Sequence, residues 1–362
     1  MNEEQRLQQI RDQIDALDKQ IHELLNQRAQ AAQEVAHIKL DADPNAIFYR
    51  PEREAQVLRN VKKRNQGPLA DDTVARLFRE IMSACLALEK PLRIAYLGPE
   101  GTFTQAAALK QFGHAVNMNA VPTISEVFAD VENGTADYGV VPVENSTEGI
   151  VTHTLDTFIA SPLFICGEVS IRINQNLMSQ TADLKKLQRV YSHRQSLAQC
   201  RGWLDRYFDA AVERIEVSSN AEAARLASED PAAAAIAGEN AAMLYNLSVL
   251  HSNIEDEPGN TTRFLIIGKQ EVPPSGQDKT SLMLAIKNEA GGLYSLLSPL
   301  AAHQVSMTRI ESRPSRRGLW DYIFFIDVLG HQHDDNVSQA FAELKQKANL
   351  FKVLGSYPVA VM

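Results

Sequence analysis

Three cysteines in 362 residues, Cys85, Cys166 and Cys200, are too few and too far apart for a disulfide framework, and none stands in a CxxC or CxxH pair suited to zinc. No stretch approaches the ~20 consecutive apolar residues of a membrane span, and the N-terminus, MNEEQRLQQIRDQ, is too polar for a signal peptide. The expected compartment is therefore a reducing cytoplasm, with no membrane partner. Positive charge is also short. The 36 basic and 45 acidic residues leave a formal charge of −9, which argues against a nucleic-acid partner but leaves room for a local basic pocket. A hydrophobic fraction of 44% and a charged fraction of 22% are globular proportions that exclude wholesale disorder.

Residues 4–40 contain neither proline nor glycine. Leu7, Ile10, Ile14, Leu17, Ile21 and Leu24 recur at alternating spacings of three and four, and the stripe resumes at Val35 and Ile38. That heptad pattern predicts one helix of about 50 Å at ~1.5 Å per residue. Asp43-Pro44-Asn45 ends it, a second helix is expected over 51–64, and a third from Asp71 to Lys90. Three such helices cover little of the stripe, so a homodimer is expected. Arg28 falls on the stripe where an apolar residue belongs. It is either an edge arginine with its head in water or an anion ligand. Lys39 follows 11 residues later, about 20° round the helix and ~16 Å along it, so the two could close on one small anion. Arg11 lies about 25 Å the other way and could reach the same ligand only from an antiparallel partner.

After Pro91 short apolar runs (93–97, 138–143, 163–173) alternate with helical ones (105–112, 126–131, 151–159). A second series follows, with strands at 189–191, 214–217 and 233–237 and helices at 197–207 and 221–228. The pattern predicts two α/β lobes over 92–268, with mainly parallel sheets and a ligand cleft at the strand C-termini. Residues 268–279, GKQEVPPSGQDK, read as a linker. Beyond it, strands at 281–286, 306–310, 320–328 and 351–357 and helices at 293–302 and 337–347 give the βαββαβ order of an α+β ferredoxin-like domain over 278–362.

Several strand-to-helix turns are rich in groups that bind anions. The turn GPEGTFT (98–104) exposes backbone amides ahead of a helix, as an anion site or a plain tight turn, and is no P-loop because the Lys-Ser/Thr is absent. Glu144-Asn145-Ser146-Thr147-Glu148 ends a buried run in amide and hydroxyl groups suited to a carboxylate. Ser192-His193-Arg194-Gln195 and Asn260-Thr261-Thr262-Arg263-Phe264 add two more polar turns. His193 is read as a structural imidazole in preference to a general acid, and Phe264 as core.

Taken together these motifs carry three resemblances. Arg11, Leu17-Asp18, Arg28, Lys39, Arg53-Glu54 and Glu89 resemble the all-helical chorismate mutase family over 1–91. The resemblance implies an intertwined dimer with Arg11 donated across chains, Arg28 and Arg11 on the substrate carboxylates, and Lys39 with Glu89 at the breaking ether oxygen. Arg53 and Glu54 would organise the side bearing the ring hydroxyl. Cys85 stands where some relatives have serine, and Glu89 where many have glutamine. The segments GPEGTFT, VVPVENSTEG, YSHRQSLAQC and TTRF, in that order, resemble prephenate dehydratase over 92–268. The implied roles are Thr262 as the catalytic hydroxyl at the departing ring hydroxyl, Asn145, Ser146 and Thr147 on the carboxylates, and Ser192, Gln199 and Arg263 completing the pocket.

Gly291-Gly292-Leu293 and Glu311-Ser312-Arg313-Pro314 resemble an ACT regulatory domain of the dehydratase family. They imply L-phenylalanine as effector, bound between two ACT domains; a domain kept only for dimerisation is the alternative. The chain is thus expected to turn chorismate into prephenate and prephenate into phenylpyruvate, with no cofactor or metal, as a homodimer or larger assembly. Two other readings are a non-catalytic amino-acid receptor with a coiled-coil dimeriser, to which Arg28 would be of no use, and an arogenate-preferring dehydratase with a vestigial mutase.

Overall fold

The computed structural model describes residues 2–44, 46–286, 289–314 and 322–361. Asn45, Asn288 and the expected strand start at Trp320 lie outside the described residues. The chain divides into two compact units, one of residues 1–50, 58–92 and 112–117, the other of 51–57, 93–111 and 118–362. No helix among the described residues is long and apolar enough to cross a membrane.

Three helices open the chain: α1 (Glu3–Ala42), α2 (Pro51–Arg64) and α3 (Asp71–Glu89). A capping box starts α1, with Asn2 Oδ1 accepting from the Gln5 amide at 2.9 Å and Gln5 Oε1 from the Asn2 amide at 3.2 Å. Proline at the first position of α2 fits a turn whose amides have no helical partner. In the first unit α1 packs against α3, but its heptad stripe stays open. Leu7, Ile10, Ile14, Leu17, Ile21 and Leu24 are each 50% exposed or more.

The first lobe of the second unit contains β1 (Arg93–Leu97), α4 (Phe103–Phe112), β2 (Asn117–Val121), α5 (Ile124–Asn133), β3 (Tyr138–Asn145), β4 (Gly149–Ile150), α6 (Thr152–Phe158) and β5 (Phe164–Arg172). The second lobe contains β6 (Asn176–Ser179), β7 (Arg189–His193), α7 (Arg194–Gln199), α8 (Arg201–Tyr207), β8 (Glu213–Val217), α9 (Asn220–Glu229), β9 (Ala233–Ala237), α10 (Glu239–Leu244) and β10 (Ser248–His251). The chain then returns to the first lobe as β11 (Thr261–Gly268). Strand order is β2-β1-β3-β11-β5, with β4 on β3, in one sheet and β10-β6-β9-β7-β8 in the other.

These sheets are mixed, which corrects the expectation of mainly parallel ones. β1 and β3 are parallel, as are β7, β8 and β9, but β11 is antiparallel to both β3 and β5, and β6 to both β9 and β10. The reason is topological: β5 leads out of the first lobe and β11 leads back, and neighbouring out-and-back strands must run in opposite directions. The expected helix over 197–207 is two helices, α7 and α8, meeting at buried Cys200.

The last region is β12 (Asp278–Ile286), α11 (Gly292–Ala302), β13 (Met307–Pro314), β14 (Tyr322–Leu329), α12 (Asp335–Lys347) and β15 (Leu350–Pro358), in sheet order β13-β14-β12-β15. This is the expected βαββαβ fold. It is not tethered loosely. Met283, Ile323, Phe325, Leu354 and Tyr357 join Val141, Ile165, Leu265 and Ile267 of the first lobe in one buried apolar cluster. The backbones of β15 and β5 approach so closely that a Cβ on Gly355 would overlap the Ile165 carbonyl. The stretch read as a linker is itself packed, since Val272 and Ser275 are buried and Asp278 carboxylate oxygens accept from the Ser275 amide and hydroxyl at 2.8 and 2.6 Å.

Candidate functional site

In the second unit the ends of β1, β3, β7 and β8 open on a cavity of about 690 Å³, lined by Leu97, Asn145, His193 and Ser218 from those ends. The starts of α4 and α9 face it through Phe103 and Asn220, so two helix N-termini direct amides and positive dipole ends at its contents. Among the described residues its lining holds no lysine or arginine. Its polarity comes from hydroxyls, side-chain amides and helix termini, together with the Glu148 carboxylate and the imidazoles of His153 and His193.

Thr262 and Asn145 face each other across the β11–β3 register, and the Asn145 amide nitrogen donates to Thr262 Oγ1 at 2.8 Å and to Asn260 Oδ1 at 2.7 Å. The orientation of that amide is determined by its other end. Asn145 Oδ1 accepts from the backbone amides of Thr147 and Glu148 at 3.0 and 2.9 Å, so the nitrogen must point at Thr262. With a lone pair of its oxygen occupied, Thr262 keeps its hydroxyl hydrogen for the cavity. From the second lobe Gln199 Oε1 accepts from Asn260 at 3.3 Å, and the Gln195 and Gln199 amides each reach the Glu148 carboxylate at 3.3 Å, clasping the two lobes.

The structure brings Thr262, Asn145 and Gln199 to one cavity, but four expected ligands stand elsewhere. Ser192 is fully buried, its hydroxyl 2.8 Å from the Ile236 carbonyl and 3.1 Å from Asn220 Oδ1, so it holds Asn220 and does not line the cleft. Ser146 Oγ accepts from the Thr261 amide at 3.0 Å and pins the end of β3 to β11. Thr147 borders a separate cavity of about 310 Å³ with Glu148, Gln199 and the acidic run 255–257. Arg263 points to the opposite face of the sheet, because adjacent strand residues alternate. There its guanidinium meets Glu168 at 2.8 Å, Asp327 at 2.6 Å and the Tyr357 hydroxyl at 3.0 Å.

Gln175, Ser196, Asn220 and Asn260 line the cleft without having been expected there. Ser218-Ser219-Asn220 is a hydroxyl-and-amide turn between strand and helix, of the same kind as 144–148, and its composition is the signal that could have found it. Gln175 lies where the chain crosses between lobes and carries no local signal. His193 caps α7, its Nδ1 accepting from the Gln195 amide at 3.4 Å, in the structural role expected of it.

In the first unit Arg11 is exposed on α1, and Arg28, Lys39 and Glu89 are half-buried. The Lys39 ammonium donates to the Ile47 carbonyl at 3.3 Å and lies 5.5 Å from the centre of the Phe48 ring. Partial burial raises the Glu89 carboxyl above its usual range, and the nearby positive charge of Lys39 opposes the shift without cancelling it. Arg53, exposed, and Glu54, half-buried, stand on the first turn of α2, in the stretch 51–57 that groups with the other unit.

The family models that match are chorismate mutase type II over residues 10–90, prephenate dehydratase over 94–272 and the ACT domain over 280–346. The chain is 53% identical over 366 aligned residues to the bifunctional chorismate mutase/prephenate dehydratase of Stutzerimonas stutzeri, covering 100% of both chains. It is equally similar, 53% over 366 residues and 100% of both, to that of Pseudomonas aeruginosa. This chain belongs to the bifunctional chorismate mutase/prephenate dehydratase family. Among solved structures, the prephenate dehydratase of Arthrobacter aurescens in complex with L-Phe aligns with a TM-score of 0.68 at 33% identity, over 74% of this chain and 90% of that one.

Within this family member the ACT residues gather at one end of their sheet. Pro314 and Ile286 both pair with Tyr322, so Ser312 and Pro314 lie at the same end of the sheet as the turn holding Gly291, Gly292 and Leu293. Gly291 has φ of +80°, which only glycine adopts without strain, and leads into α11. Along β13 exposure alternates, with Ser312 and Pro314 facing solvent. Arg313, expected at the effector, is held by Asp156 of the dehydratase lobe, its Nε and Nη2 each 3.1 Å from Asp156 Oδ1.

Proposed function

We propose that a dimer of this chain performs two consecutive reactions, with residues 1–91 as mutase, 92–268 as dehydratase and 278–362 as regulatory domain. The mutase rearranges chorismate to prephenate. The dehydratase converts prephenate to phenylpyruvate, carbon dioxide and water, under feedback inhibition by L-phenylalanine. The dimer reading rests on the open stripe of α1, whose six half-exposed side chains would gain on the order of 10 kcal/mol at ~25 cal/mol per Å² if covered. Three buried free cysteines suit a reducing cytoplasm.

In the mutase the reaction needs positioning and charge stabilisation, not a nucleophile. Arg28, with Arg11 of the second subunit, holds the carboxylates by forked hydrogen bonds, and Arg53 and Glu54 hold the ring hydroxyl side. Lys39 and protonated Glu89 donate to the ether oxygen as its bond to the ring breaks.

The observation that carries the dehydratase reading is the Asn145–Thr262 pair at the floor of the cleft. Thr262 donates to the ring hydroxyl as it departs. The carboxylate carbon–ring bond breaks, its electrons enter the ring, and carbon dioxide leaves. A threonine hydroxyl is a weak acid, so its role is to orient and hydrogen-bond a reaction driven by aromatisation. Helix N-termini, Asn220 and Asn260 receive the carboxylates; Gln199 and Gln175 close the pocket. Ser192, Ser146 and Thr147 act through the walls they brace.

The deciding experiment is incubation of purified protein with chorismate in chelator-containing buffer, following prephenate and phenylpyruvate separately, with arogenate as a parallel substrate. Formation of both products supports the reading. Failure to form either would leave only a binding function.

A further inference from the structure

The two residues that form the dehydratase floor each have a charged neighbour on the back of the same sheet. Arg263 follows Thr262 on β11, Glu144 precedes Asn145 on β3, and the two are register partners beside a β-bulge. Both back-face residues are held by the ACT domain. Arg309 of β13 lies 3.3 Å from Glu144, while Arg263 bonds to Asp327 of β14 and Tyr357 of β15. The Arg263 cluster is charge-balanced, since Glu168 also takes Lys279 of β12 at 2.8 Å through each oxygen. It is also largely buried: Arg263 and Lys279 are each 14% exposed, Glu168 6% and Asp327 4%. Ser281 of β12 completes it, donating to Asp327 and lying 2.8 Å from the Tyr357 hydroxyl.

A buried cluster of this kind tolerates few arrangements, because each charge depends on a partner being in place. We propose that Arg263 is a positioning residue, fixing the β11 backbone at Thr262 against the ACT sheet. Movement of the ACT strands is thereby converted into displacement of Thr262 from Asn145. The inference rests on the reading of Thr262 as the reacting hydroxyl and of L-phenylalanine as effector. It differs from the motif-based expectation that Arg263 touches substrate, and the two make opposite kinetic predictions.

The test uses the full chain, with circular dichroism and thermal unfolding of each variant as the check that the dehydratase and ACT regions are folded. Arg263→Gln should lower dehydratase kcat about 10- to 100-fold, the scale of a misplacement near 1 Å, with KM for prephenate within about threefold of wild type. A substrate carboxylate ligand would instead raise KM strongly. Asp327→Asn, entirely within the ACT domain, should reproduce the kcat loss in milder form, and Arg263→Lys should restore little because one ammonium nitrogen cannot reach three partners spaced around a planar guanidinium.

Tyr357→Phe should weaken inhibition at a fixed L-phenylalanine concentration about tenfold while calorimetry shows L-phenylalanine still bound. A KM effect in Arg263→Gln, or normal kcat in both Arg263→Gln and Asp327→Asn, would overturn the positioning role. Full inhibition in Tyr357→Phe and Asp327→Asn with bound effector would overturn the coupling. If wild type binds no L-phenylalanine, the effector reading fails by itself and the kcat–KM split still decides the position of Arg263. If Arg263→Gln does not fold, Asp327→Asn and Tyr357→Phe decide alone.

Discussion

In the helical region the charge proposed to meet a dicarboxylate is that of Arg11, Arg28 and Lys39, long cationic side chains on one 40-residue helix. In the α/β region the cleft lining holds no lysine or arginine among the described residues, and amides, hydroxyls and the starts of α4 and α9 face it alongside Glu148, His153 and His193. The first arrangement, proposed for the mutase, would need two chains, because Arg11 and Arg28 stand about 25 Å apart on α1 at ~1.5 Å per residue. The second is assembled by one chain, with Asn145 gripped at both ends before any substrate arrives. On the proposed reading, two sites for related dicarboxylates would stabilise charge in two ways: cations assembled by association, and dipoles preorganised by folding.

The largest test of that contrast is genetic separation. Arg28→Ala should abolish mutase activity and leave dehydration of added prephenate intact, while Thr262→Ala should lower dehydratase activity by about 10²–10³ and spare the mutase. Loss of both activities from either folded variant would show that the sites are not independent. Next in size is complementation. Mixed Arg11→Ala and Arg28→Ala subunits should regain about a quarter of wild-type mutase activity, since half the dimers would be mixed and carry one intact site of two. No gain after demonstrated subunit exchange would place both arginines in one chain's site.

A smaller effect should follow from Glu89. Its pKa is raised by burial, so the protonated, donating form persists to higher pH than for an ordinary glutamate. Mutase activity should be full below that raised pKa and fall about tenfold per unit above it. Glu89→Gln, a permanent donor, should flatten the profile while the dehydratase profile stays unchanged; a flat wild-type profile would remove Glu89 from the chemistry. The smallest effect sharpens the contrast in rigidity. Gly355→Ala should cost about 1–3 kcal/mol by overpacking β15 against β5, seen as a Tm lower by several degrees. An unchanged Tm would mean the two backbones can separate freely.

Much of the fold is legible in the chain because its signals are local. The gap in proline and glycine with its three-and-four spacing reads directly as α1, Pro51 marks the start of α2, and the ACT order of strands and helices follows from short apolar runs. Strands without such runs escape notice. Asn117–Val121 and Ser248–His251 are edge strands with largely polar or exposed faces, recognisable only from the neighbours they pair with.

The sequence by itself determined the three families, the element order and the polar turns that meet at the cleft, because hydrophobic period, capping residues and contiguous motifs are properties of short segments. Tertiary structure alone decided which member of each motif faces the cavity. Thr262 meets Asn145 across 117 residues of chain, and a strand presents successive residues to opposite faces, so the same register sends Arg263 to the ACT sheet. Ser192 turned inward for a similar reason: its strand lies between two others in a sheet, where a hydroxyl is held by the next strand's carbonyl and not by substrate. The mixed direction of the sheets and the shared core of dehydratase and ACT domains likewise arise from where distant strands pack, which no local pattern encodes.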